Sequence, residues 1–169
     1  METASDLEGI YVLIVDDEPD VIETLQDLLR ACRIDTAANF GDGKTLLTQN
    51  KYDIAILDIM GVDGYKLLEI ANQKKVPTLM ITAHALSPDN FFKSMSEGAN
   101  AYIPKEKMSD IAIFVMDVLN SQAGNERPGR WFARLKSFFE FRFGKEWLRE
   151  YRKLREEYEK KYGRLSDLD

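Results

Sequence analysis

Ile10-Tyr-Val-Leu-Ile-Val-Asp-Asp17 is an unbroken apolar run that stops at two aspartates. The run is rich in β-branched residues and too short for a helix, which suits a strand buried on both faces of a parallel sheet. Pro19 follows where a first helical turn tolerates it, and Val21, Ile22, Leu25, Leu28 and Leu29 continue at helical spacing. The alternation then repeats. Strands are predicted at Ile34–Ala38, Ile54–Leu57, Thr78–Ile81 and Ala101–Ile103. Helices are predicted over Phe40–Asn50, around Tyr65–Ala71, from a Ser87 cap and Pro88, and along Met108, Ile111, Val115, Val118 and Leu119. Five βα units in this span give an α/β fold, a doubly wound (βα)5 parallel sheet of flavodoxin-like type.

Charge divides the chain. Of a net −6 over 169 residues, residues 1–124 carry −10 and residues 125–169 carry +4. The polar stretch Ser121 to Gly129, with Gly124, Pro128 and Gly129, is expected to link two modules. The expected organisation is a tail over 1–8, an α/β module over 9–121, a linker over 122–129 and a helical extension over 130–169. Met1 to Glu8 is acidic without an apolar run, so no signal peptide is expected, and no segment approaches the length of a membrane span. A cytoplasmic location is expected. Cys32 is the only cysteine and reads as core filler.

Polar residues recur where the strands end. Asp16 and Asp17 follow the first strand, Asp58 the third and Thr82 the fourth, while Lys105 lies two residues past the fifth. Ligands of open parallel sheets bind beyond the carboxyl ends of the strands. Single polar residues there are common, because strands end where polar loops begin; five on one edge are not. If the first strand neighbours the third, three carboxylates converge and call for a hard divalent cation, for which Mg²⁺ is suited. Lys105 and Thr82 would then meet a phosphoryl group, so the set matches phosphoryl transfer to a carboxylate.

The residues Val15-Asp-Asp-Glu-Pro19, Leu57-Asp-Ile-Met60, Asp63-Gly-Tyr65, Ile81-Thr-Ala83 and Ala101-Tyr-Ile-Pro-Lys105 carry a resemblance to the receiver domain of two-component response regulators over residues 9–121. The resemblance implies that Asp58 accepts a phosphoryl group from a sensor histidine kinase or phosphotransfer protein. It implies Mg²⁺ held by Asp17 with Asp16, Asp58 and the backbone carbonyl of Met60. It gives Thr82 and Lys105 contacts to the phosphoryl oxygens and has Tyr102 swing inward when Thr82 moves. The surface of the fourth and fifth helices of the repeat and the fifth strand would change in consequence. Such a protein is a phosphoacceptor rather than an enzyme, with at most slow autodephosphorylation, which Met60 is placed to tune; His84 reads either as a second tuning residue or, the favoured reading, as a loop histidine with no role. The Asp58–Gly64 segment is about two residues shorter than is usual in that family and lacks its proline. Glu106 stands where a proline commonly follows the lysine, and the Ile103–Pro104 isomer stays open. Two other classes compete: a pseudo-receiver that is never phosphorylated, against which intact Asp17, Asp58, Thr82 and Lys105 argue, and an aspartate-nucleophile phosphohydrolase, which would want an aspartate where Met60 stands.

After residue 129 no strand pattern remains. Trp131, Leu135 and Phe138, then Trp147, Tyr151, Leu154 and Tyr158, form two amphipathic stretches with a break at Gly144. The aromatic stripe is expected to pack against the first module or a second subunit, including a homodimer formed through these helices or through the face named above. Acidic residues interleave the basic ones and no nucleic-acid motif is present, which argues against nucleic acid. Peripheral membrane contact through Trp131, Phe132, Phe138, Phe139, Phe141 and Phe143, with Arg and Lys flanking, stays open.

Overall fold

The structure, a computed structural model, describes residues 2–83, 88–126 and 129–162. Five strands, β1 (Tyr11–Val15), β2 (Arg33–Ala37), β3 (Ile54–Asp58), β4 (Thr78–Thr82) and β5 (Ala101–Pro104), form one parallel sheet in the order β2-β1-β3-β4-β5. Helices α2 (Pro19–Leu28), α3 (Phe40–Gln49), α4 (Gly64–Gln73), α5 (Pro88–Ser96) and α6 (Ile111–Gln122) alternate with the strands. The doubly wound α/β fold read from the apolar runs is the one observed. β3 and β4 are buried at every position, as strands covered on both faces must be.

Several expectations need correction in detail. β3, β4 and β5 run one residue further than predicted, so Asp58, Thr82 and Pro104 are strand ends rather than loop starts, while β2 lies one residue earlier. Lys105 therefore follows β5 directly. A 3₁₀ segment occupies Lys105–Asp110, and α6 begins only at Ile111, so Met108 lies before the helix instead of within it. The acidic start is also ordered: α1 (Glu2–Asp6) rests against α6, and Leu7 is buried. The Ser87 cap lies outside the described residues. No described peptide bond is cis, Ile103–Pro104 included.

The start of α3 shows local chemistry at work. Asn39 takes extended backbone angles, and its side-chain oxygen accepts the Asp42 N–H at 2.8 Å. That satisfies one of the donors a helix start leaves open. Asn39→Ala is expected to cost about 1 kcal/mol, read as a lower urea midpoint with an unchanged slope.

Two further helices, α7 (Arg130–Phe143) and α8 (Lys145–Tyr162), form a hairpin broken at Gly144, whose φ of 75° ends α7. Of the competing uses for the aromatic stripe, packing on the α/β module is what the structure shows: α7 touches β5 and α6, and α8 touches α5. Trp131, Phe132, Leu135, Phe139, Trp147 and Tyr151 join the same apolar core as the sheet. Phe139, not the expected Phe138, points into it; Phe138 is only half-buried. Among the described residues no helix is long and apolar enough to cross a membrane.

Candidate functional site

The register of the sheet brings the polar strand ends level. Val15 pairs with Leu57 and Asp58 with Ile81, so Asp16 and Asp58 emerge side by side from β1 and β3. Thr82 pairs with Pro104, which places Lys105 just beyond. Asp16, Asp58 and Thr82 are all buried. Lys105 closes the group: its Nζ lies 2.8 Å from Asp16 Oδ2, 2.9 Å from Glu18 Oε1 and 3.4 Å from Asp58 Oδ1. Asp16 Oδ1 accepts the Glu18 N–H at 2.8 Å, which turns the chain out of β1 and sets Glu18 beside the lysine.

The electrostatics follow from burial and crowding. Burial, then the charge of Asp16, pushes the Asp58 carboxyl up to about 7 against the opposing pull of Lys105. Asp16 is raised too, by burial above all. Burial disfavours the Lys105 ammonium, but bonds to Asp16 and Glu18 and the charges of Asp16 and Asp58 outweigh it. Its pKa lies above that of an ordinary lysine. Lys105 is a fixed cation among more negative charge than it can neutralise.

A divalent cation fits what remains. Oxygens of Asp16, Asp17 and Glu18 lie within 4.8 Å of one another, an all-oxygen donor set. Asp16 Oδ2 is buried with the Lys105 ammonium 2.8 Å away as its ion-pair partner, and a carboxylate oxygen so placed keeps a lone pair for a cation. Asp17 is exposed at the mouth, against Gly61; a Cβ on Gly61 would sit 2.4 Å from the Asp17 carboxylate. The short Asp58–Gly64 segment is closed by a turn in which Asp63 takes a φ of 51° and the Gly64 N–H meets the Ile59 carbonyl at 3.3 Å. Ile59 and Val62 are buried beneath it.

The predicted residues fall unevenly. Asp16, Asp58 and Lys105 meet directly, and Thr82 lies on the same edge. The Met60 side chain is 63% exposed, turned outward rather than over Asp58. The Tyr102 ring is fully buried, edge-on to Phe91 at 5.6 Å. His84 lies outside the described residues. The sequence reading missed Glu18 as a partner of Lys105, and Gly61 and Gly64 as the residues that let the loop close. An acid two residues after a strand-end aspartate was the available signal for Glu18. Cys32 is half-buried, and burial pushes its thiol up to about 11, which leaves it inert at neutral pH.

Comparison with known proteins agrees with this geometry. The family described as the response regulator receiver domain matches residues 12–114. Response regulator Rre1 of Synechocystis sp. is 30% identical over 143 residues, covering 79% of this chain and 62% of that protein. Two-component response regulator ARR18 of Arabidopsis thaliana is 33% identical over 103 residues, 57% of this chain. The chain spans only 16% of that protein's length. Among solved structures, a CheY-like receiver domain protein from Methanospirillum hungatei superposes with a TM-score of 0.63 at 25% identity, covering 70% of this chain and all of that one.

Proposed function

Because the chain belongs to the response regulator receiver domain family, whose members are generally phosphorylated on an aspartate by histidine kinases, we propose that Asp58 is the phosphoacceptor here. The donor is a sensor histidine kinase or a phosphotransfer protein, and the reaction needs Mg²⁺. The observation that carries this is Asp58 itself: buried at the end of β3, with Lys105 Nζ 3.4 Å from its carboxylate and Asp16 alongside.

In the transfer a carboxylate oxygen of Asp58 attacks phosphorus, the bond to the donor histidine nitrogen breaks, and an acyl phosphate remains. Asp58 has to be ionised to attack, yet burial and Asp16 favour its neutral form near pH 7. A cation held by Asp16, Asp17 and Asp58, with Glu18 in reach and the Met60 carbonyl as a further ligand, would supply the positive charge that ionises it and would screen the phosphoryl oxygens. Lys105 is a point charge for a phosphoryl oxygen, and Thr82, from the adjacent strand, has a hydroxyl to offer a second. The added charge, about −1.5 to −2, is the driving force for a change at the face of α5, β5 and α6, which are the fourth and fifth helices of the repeat with the last strand. That face in turn controls dimerisation or partner binding through the C-terminal helices.

Incubation with acetyl phosphate and Mg²⁺, read by intact mass, tests the assignment. A gain of one phosphate that vanishes in Asp58→Ala is the expected result. No gain at any Mg²⁺ concentration would refute it and favour a scaffold that is never phosphorylated.

A further inference from the structure

The hairpin of α7 and α8 covers the very face through which a change at Asp58 would be read. At its centre Phe91 of α5 has ring-centroid distances of 5.6 to 6.4 Å to Tyr102 of β5, to Trp131, Phe132 and Phe139 of α7, and to Tyr151 of α8. Beside this cluster Asp117 of α6, 5% exposed, receives Arg134 of α7 through two bonds, 2.7 Å from Nε and 3.1 Å from Nη2. A buried carboxylate met by such a fork gives a contact direction as well as attraction.

The rim is the informative part. Lys105 holds Asp16, Glu18 and Asp58, while the next two residues hold the hairpin. Glu106 Oε1 lies 3.6 Å from Arg142 Nη2, and Lys107 Nζ sits 5.0 Å from the centre of the Phe138 ring. Three consecutive residues therefore span the site and the hairpin with no slack between them. Net charge matches the arrangement, since residues 1–124 are acidic and residues 125–169 basic.

We infer that the hairpin is an intramolecular latch on the α5–β5–α6 face, and that phosphoryl transfer to Asp58 releases it. The inference rests on Asp58 being the phosphoacceptor. A dianion on Asp58 outcompetes the exposed Glu18 for the Lys105 ammonium and draws it inward. Lys105 opens the 3₁₀ segment, so the shift carries Glu106 away from Arg142 and Lys107 away from Phe138. The docked state is not free of cost either: Trp131 Nε1 is buried without a hydrogen-bond partner among the described residues, a donor that water takes up on release. While latched, the face is closed to a second copy of the chain; once released, Phe91, Phe92 and Tyr102 become its contact surface.

The chain's two tryptophans, Trp131 and Trp147, both lie in the hairpin and are 1% and 2% exposed, so their fluorescence reports the latch without a label. Acrylamide quenching of the full chain is measured with acetyl phosphate and Mg²⁺, with phosphorylation followed by intact mass in the same sample. The quenching constant is expected to rise about twofold or more on phosphorylation and to stay flat in Asp58→Ala. Arg134→Glu, which sets like charges together at Asp117 from an accessible position, is expected to give the same rise with no donor. A sample phosphorylated by mass but unchanged in quenching overturns the latch and leaves the phosphoacceptor intact. No gain in mass overturns both, and an Arg134→Glu chain as protected as the wild type overturns the docking contact on which the latch depends.

Discussion

Asp58→Asn is expected to make the protein more stable while removing the proposed phosphoacceptor. Asp58 is 4% exposed, beside Asp16 at 0%, and burial with that neighbour lifts its carboxyl to about 7. In the unfolded chain an aspartate titrates near 3.9, so between the two values the folded protein holds a proton that the unfolded chain releases. Above about pH 7 the folded state must carry the ionised group at full cost. Below about pH 4 the group is neutral in both states and the cost is gone. Asparagine is neutral throughout, so its advantage should be largest at pH 8, on the order of 2–4 kcal/mol, and should fade as pH falls from 7 to 4. Lys105 keeps Asp16 and Glu18 as partners in the variant, so no buried cation is stranded. Urea unfolding in EDTA across that range is the measurement. Added Mg²⁺ should narrow the gap by stabilising the wild type. A variant no more stable than the wild type at pH 8 would mean that Asp58 is not held at a cost.

The same balance explains what could be read from residue order. β1 and β3 were legible because a strand buried on both faces must be apolar throughout, and Ile10–Val15 and Ile54–Leu57 contain little else. Asp16, Asp58, Thr82 and Lys105 were legible because the sheet's topology sends every strand end to one edge. Glu18 was not, since its position depends on a turn made by a hydrogen bond to Asp16 rather than on any periodicity. The hairpin was half legible. Its aromatic spacing announced a buried face, but that face is completed by Phe91 and Tyr102, far away in sequence, and by Arg134 on Asp117. An acid inside the apolar run of α6 was the sign that a cation had to arrive from outside the helix. Leu7 and α1 carry no such sign; only contact with α6 orders them.

Gly64→Ala is expected to damage stability and chemistry together. A Cβ there would stand 2.1 Å from the Asp58 carbonyl oxygen and 2.9 Å from Ile59 Cα, both backbone atoms that no rotamer change can move aside. The Asp58–Gly64 segment has little room to yield, because Ile59 and Val62 are buried under it and Asp63 already sits at a φ of 51°. Relief can come only by displacing the end of β3 or the start of α4. Overpacking of this kind costs on the order of 3 kcal/mol, which lowers Tm by about 8 °C for a domain of this size. Displacing the Asp58 carbonyl also shifts its carboxylate against Lys105, so the chain that remains folded should take up phosphate from acetyl phosphate more slowly. Gly41 supplies the comparison: it lies in α3, where an added Cβ would meet only the Asn39 side chain at 3.5 Å. Alanine there should leave both Tm and uptake near the wild type. Equal behaviour of the two variants would show that the loop beside Asp58 is less tightly closed than its length implies.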